Sequence, residues 1–403
     1  MHNRNIKSIK WLTYMMFLMF AMTTDAVGVI IPEVMKAFDL SMTAAGLLHY
    51  GPMTAIALAG MFLGFLADRL GRKRTIILGL VLFVVNSYLF IVGNSFVYYL
   101  TLMIVSGAAI GIFKTAALAL IGDISQSSRD HTSTMNTVEG FFGVGAIIGP
   151  FVISYLLTQG VAWKWLFVIA ATLCVMLIVL ALLVKYPSTV NNTEEPINMR
   201  QTFAMLRDPY ALGFSLASFF YVSVEAAIYV WMPTLIKDYD GNLLLLATYA
   251  LPVFFILRAG GRFIGAWMMA RFDWSVILFF FTGAIFICFA GSMILGREFT
   301  VILLPLSGLF MSVVYPTINS KGISCFPKAN HGAVAGVILF FTAAGAAFGP
   351  LAMGAVSDAF NSDPKVGFML ATVFALILFS GAVLNLIVKP TQKRLSRLEE
   401  SEY

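Results

Sequence analysis

A chain of 403 residues that is 60% hydrophobic and only 11% charged, with a mean hydropathy of +0.89, is built for a lipid bilayer, since a soluble chain carries roughly 25% charged residues. The net charge of +6 does not point to nucleic acid, because the basic residues lie between apolar runs and not along one face. His2, His49, His131 and His331 sit at or near the ends of apolar runs with no ligand spacing, and Cys174, Cys288 and Cys325 lie in or beside such runs, so no metal, cofactor or enzymatic nucleophile is expected.

The basic opening "MHNRNIKSIK" leads into an apolar run long enough to span and without a small-residue cleavage site, so it reads as a first span and not a cleaved signal. Runs of about 20 apolar residues mark spanning helices. Twelve are expected, at 11–35, 43–67, 75–93, 96–122, 133–158, 163–185, 210–236, 243–269, 274–295, 299–323, 331–357 and 365–388. The fold class is therefore an all-α membrane protein. The polar stretch 186–209 separates six spans in residues 1–185 from six in 210–403. Of the 26 lysines and arginines, 18 fall on the side holding both termini, five on the other and three within spans. The bias places both termini in the cytoplasm, for a protein of the cell (inner) membrane.

Charges inside the spans follow in chain order. Asp25, in "FLMFAMTTDAVGVIIPEV", lies roughly 21 Å into span one. A carboxylate in hydrocarbon costs several kcal/mol and marks function, and desolvation favours the neutral acid, the requirement for a proton carrier. Lys114 on span four and Glu139 on span five lie at similar depth, roughly 10–12 Å from the inner side. They suit a static ion pair or one that switches partner, whereas an unpaired Lys114 would suit an anionic substrate such as a sugar acid. Glu225 lies about as deep in span seven as Asp25 in span one. Arg258 and Arg262 share a face of span eight, where Arg258 suits Glu225 or substrate and Arg262 a structural role near the inner end. Asn136, Tyr221, Trp231, Tyr315 and Asn319 are candidates to bind sugar hydroxyls or pack on a pyranose ring.

A shift of about 200 residues brings like onto like. "GVGAIIGPFV" meets "AAGAAFGPLA", so Gly145, Gly149 and Pro150 fall on Gly345, Gly349 and Pro350; Asp25 falls on Glu225, and Pro32 on Pro233. A parallel six-span repeat with substrate between the halves near the midplane is a transporter architecture.

"GFLADRLGRKR", Gly64 to Arg74, resembles the major facilitator superfamily motif G-x-x-x-D-R-x-G-R-[RK]-[RK] between helices two and three. The resemblance implies two pseudo-symmetric six-helix bundles, alternating access, and a conformational gate of Gly64, Asp68, Arg69, Gly71 and Arg72. In it Asp68 engages neighbouring helix ends and Arg69 and Arg72 form inner-side salt bridges. It also implies that spans three, six, nine and twelve, which hold no deep charge, are outer supports. "FFYVSVEAAIYVWMP", "GRFIGA", "GLFMSVVYPTI" and "WKWLF" resemble the fucose:proton symporter group, which includes hexose permeases. That likeness implies cation-coupled uptake of a monosaccharide. The carrier is expected to be a monomer using H+ or Na+, with the acids within the spans, Asp25, Glu225 and Glu139, as its coupling residues. Where that group has an acid on span four this chain has Lys114. Proton-coupled export of drugs or amphiphiles is the rival expectation, since "GAIIGP" carries the exporters' G-x-x-x-G-P.

Overall fold

The computed structural model describes residues 2–63, 66–124, 128–186, 205–269, 271–326 and 331–401, and every regular element among them is helical. They form two compact units. The first contains α1 (His2–Thr24), α2 (Val27–Phe38), α3 (Met42–Leu63), α4 (Leu66–Arg69), α5 (Arg72–Leu89), α6 (Phe96–Ile124), α7 (Ser128–Thr158) and α8 (Trp165–Leu183). The second contains α9 (Pro209–Ala226), a π-helical turn (Ala227–Trp231), α10 (Met232–Ile236), α11 (Leu244–Thr248), α12 (Ala250–Met269) and α13 (Trp274–Ile294). It continues with α14 (Arg297–Met311), α15 (Val314–Ser324), α16 (His331–Ala359), α17 (Pro364–Val388) and α18 (Pro390–Ser401), and residues 41–43 cluster with it.

Among the described residues ten helices are long and apolar enough to cross a membrane. The other two expected spans fold as α3 and α5, the latter opening with three cations, Arg72, Lys73 and Arg74. In the first unit α1 packs on α7 and α8, and α5 on α6 and α8; in the second α9 packs on α16 and α17, and α13 on α14 and α17. The same pairing in both units is the physical form of the sequence repeat. The first unit's core is dense: the Phe20 ring lies 4.9 Å from Phe83 and 4.7 Å from Phe113, with Leu12, Met16 and Leu80 buried around it.

Four expected spans are interrupted among the described residues. Span one breaks at Asp25–Ala26, span seven passes through the π turn, span eight breaks at Tyr249 between α11 and α12, and span ten breaks at Ser312–Val313. Before the first break the Thr23 hydroxyl donates to the Phe20 carbonyl at 2.9 Å, competing with the backbone, and the single Thr24 hydroxyl hydrogen has two acceptors, that carbonyl at 3.2 Å and Oδ2 of Asp25 at 2.9 Å. Pro233 and Pro316 have no N–H to offer the carbonyls four residues back, Tyr229 and Ser312, which lie inside the interruptions of spans seven and ten.

Candidate functional site

In the second unit Glu225 lies on the last turn of α9, where the regular helix gives way to the π turn. Its side chain is only 9% exposed, and Oε1 lies 2.6 Å from Nη2 of Arg258 on α12. The Tyr221 hydroxyl, one turn back, is 3.0 Å from the same oxygen and 2.8 Å from the carbonyl of Met311 at the end of α14. A phenol has one hydrogen, so the carboxylate and the carbonyl compete for it. The Tyr315 ring stacks on Tyr221 with centroids 6.0 Å apart, and Asn319 lies half-buried one turn further along α15. Glu225, Arg258, Tyr221 and Tyr315 thus form one cluster. Arg262 is exposed.

Trp231 closes the π turn and is fully enclosed; its indole N–H donates to the Pro350 carbonyl at 3.0 Å, which commits its polar atom to holding the π turn against α16.

In the first unit Asp25 is half-buried in the break between α1 and α2, where the Thr24 hydroxyl donates to Oδ2 at 2.9 Å. Lys114 on α6 feels two carboxylates electrostatically, Glu139 more strongly and Asp25 next. The described ion pairs do not join Lys114 to Glu139. Equal depth on neighbouring helices did not make a contact pair: the ammonium lies 4.9 Å from the centre of the Phe142 ring, and Glu139 is exposed. Asn136 lies on α7, and its side chain is outside the described residues.

Of the loop motif, Gly64 and the Asp68 side chain are outside the described residues, and Arg69 is exposed at the end of α4. Gly71 precedes α5 with φ of 82°, a conformation suited to glycine. Arg72 is buried, and its Nε lies 2.9 Å from Oδ2 of Asp123, on the last turn of α6. Asp123 was not among the expected site residues. Its signal is an acid in "ALIGDIS", at the inner end of span four and level with the basic loop.

Glycines fix how each acid-bearing helix lies on its neighbour. A Cβ at Gly145 or Gly149 would strike the backbone of Leu18 or Met22, and one at Gly345 or Gly349 would strike Phe219 or Ser223. Leu18 therefore corresponds to Phe219 and Met22 to Ser223, an offset of 201 residues, shared by Pro32 and Pro233. Burial agrees: Tyr14, Phe17 and Phe20 are buried, as are Ser215, Ser218 and Tyr221. On this register Glu225 corresponds to Thr24, and Asp25 to Ala226. The sequence match of Asp25 with Glu225 is thus corrected by one residue. The two acids stand one residue apart on the shared register, a step that on a regular helix turns a side chain by about 100°.

Residues 13–350 match the Major Facilitator Superfamily. The chain is 25% identical to the L-fucose-proton symporter of Escherichia coli (strain K12), over 90% of both proteins. It is 31% identical to the quinolone resistance protein NorA of Staphylococcus aureus over 36% of this chain and 37% of that one. The crystal structure of the nucleoside transporter NupG superposes with a TM-score of 0.75 at 13% identity, covering 94% of this chain and 98% of that one. The chain belongs to the Major Facilitator Superfamily, as a multi-pass membrane transporter of two six-helix bundles and not an enzyme.

Proposed function

We propose that the protein is a proton-coupled symporter of a monosaccharide, working by alternating access in the cell (inner) membrane with both termini cytoplasmic. One observation carries the reading: a buried carboxyl, Glu225, shares an oxygen with Arg258 and faces a tyrosine whose single hydrogen has two acceptors. With Glu225 ionised, its oxygen accepts from Arg258 and from Tyr221. When Glu225 takes a proton, its own O–H donates to the phenol oxygen, and the Tyr221 hydrogen turns to the Met311 carbonyl. Neutralising the acid also weakens its hold on Arg258, whose guanidinium then turns to substrate oxygens beside Tyr315 and Asn319. Proton and substrate binding are thereby linked through one side chain. Asp25, at a helix break with a hydroxyl donor and Lys114 in electrostatic reach, is the second coupling acid. Likeness over most of the chain to a fucose-proton symporter supports the substrate class.

The test is the external pH of lightly buffered, de-energised cells expressing the protein, as neutral hexoses, deoxyhexoses and sugar acids are added singly. Alkalinisation by one of them, lost in Asp25→Asn, is the expected result. Alkalinisation that survives Asp25→Asn removes that residue from coupling; silence across the panel, with uptake that follows sodium, replaces the proton. A second reading, efflux of an amphiphile, is favoured by the likeness of about a third of the chain to a quinolone resistance protein. Expulsion of a lipophilic cation by energised cells would select it.

A further inference from the structure

The second unit holds a cavity at positions where the first unit carries larger side chains. It has a volume of about 560 Å³ and lies between α9, α13 and α17, walled by Gly213, Ala217, Leu278, Ile377 and Gly381. That is within the roughly 300–1,000 Å³ of small-molecule sites. The 201-residue register explains its origin. Gly213 and Ala217 stand where the first unit has Leu12 and Met16, both buried in its core. Gly381 stands where it has Leu180, which is 49% exposed and lies at the rim of that packing, the buried positions Phe167, Cys174 and Leu177 answering to Phe368, Ala375 and Leu378. Three large side chains have become two glycines and an alanine, and a Cβ built on either glycine meets nothing within 4 Å. The slot opens outward between Leu216 and Ile377, which are 39% and 43% exposed.

The slot is apolar along its length and polar at one end, beside Asn385 and Thr391. That end is ringed by aromatic and basic groups. The Lys321 ammonium lies 5.7 Å from the Trp274 ring and the Arg394 guanidinium 4.5 Å from the Tyr210 ring, and both rings line the slot. Lys389 follows α17 at the same end. Of the acids there, Asp208 is paired with Arg394 at 2.9 Å, and Asp273 lies within the fields of Lys389 and Lys321. Two lysines face one carboxylate, a rim of net positive charge.

We propose that this slot seats an acyl chain of an anionic phospholipid, with its phosphate at Lys321 and Lys389. A long apolar trough opening outward with a cationic, aromatic mouth complements that molecule and no polar solute, and basic pockets between membrane helices recognise such headgroups. The site is separate from the Glu225 cluster and does not depend on the transport reading.

The experiment is native mass spectrometry of the full chain in detergent, titrated with phosphatidylglycerol or with phosphatidylcholine of identical chains. Wild type retains phosphatidylglycerol, and holds it roughly fivefold more firmly than phosphatidylcholine for each lysine engaged. Gly381→Phe and Gly213→Leu fill the slot and weaken phosphatidylglycerol retention roughly tenfold, the effect of about two methylenes kept from burial. Lys321→Gln with Lys389→Gln removes the preference between headgroups, lowering phosphatidylglycerol retention more than phosphatidylcholine retention. Equal retention by wild type and a folded slot-filling variant overturns the proposal; so does equal retention of the two lipids by wild type, or a dimer that displaces lipid. The two fillings act on different helices, so failure of one to fold leaves the other to decide.

Discussion

Replacing Glu225 by glutamine tests the cluster most directly, because the substitution keeps the side chain's shape and removes only its charge. Glutamine still offers an oxygen to Tyr221, so the loss is confined to the 2.6 Å contact with Arg258. Hydrogen bonds to charged groups contribute about 1.5–3 kcal/mol; with the Arg258 side chain 25% exposed, some of that is recovered from solvent, which leaves about 2 kcal/mol. If the contact is absent from the unfolding transition state, unfolding accelerates by up to roughly thirtyfold. Arg258→Met alone strands a carboxylate that is 9% exposed and costs more, about 3–5 kcal/mol. The double variant returns to within about 1 kcal/mol of wild type, since two neutral groups of similar volume leave nothing stranded. The protein supplies its own assay. Cys174, Cys288 and Cys325 are all buried, so a thiol-reactive dye reports unfolding as a rate at fixed temperature. Strictly additive effects in the double variant would refute the pair, and so would a Glu225→Gln protein that unfolds no faster than wild type.

Asp123→Asn strands the buried Arg72 guanidinium and is expected to cost about 3–5 kcal/mol; folded protein recovered from membranes falls sharply, and adding Arg72→Met restores most of it. Gly349→Val drives a side chain into the backbone at Ser223, two residues from Glu225; overpacking of about 1–3 kcal/mol shortens the unfolding lifetime, and coupled uptake falls further than stability because α9 must move. Burial pushes the Cys325 thiol up to about 11, whereas an unfolded thiol ionises near ~8.5. Between those two values the unfolded chain sheds its proton first, so this group's contribution to stability declines as pH rises through the window; a Cys325→Ser variant should lose that part of the pH dependence of the unfolding temperature, and an identical dependence in both proteins would contradict the raised thiol.

Composition and hydropathy alone carried the reading as far as a membrane bundle, because lipid permits few architectures and each span must announce itself in about 20 apolar residues. The loop motif then named the family. Individual contacts were harder to read. The Glu225–Arg258 pair was foreseen as one of two partnerships for that arginine, since both charges were deep and on adjacent spans. Lys114 and Glu139 met the same criteria and do not form a contact pair, because depth along a helix says nothing about direction around it. The break at Asp25 was hidden in two threonines whose hydroxyls compete for one carbonyl, and the π turn in a single proline. Asp123 escaped notice because an acid at the end of a span is ordinarily solvated; only the fold brings Arg72 to it.

The one-residue offset between Asp25 and Glu225 bears on how the molecule arose. If the halves descend from a single duplicated six-helix ancestor, the glycines and the prolines kept their places on the inherited lattice of helix contacts. The acids did not. Thr24 stands where one half has its carboxylate, and Ala226 where the other half has its own. Either the ancestor carried two adjacent acids and each half kept a different one, or at least one acid was gained after the duplication. On either course no carboxyl has a counterpart at its own position in the other half, and the halves are free to diverge in what each carboxyl does.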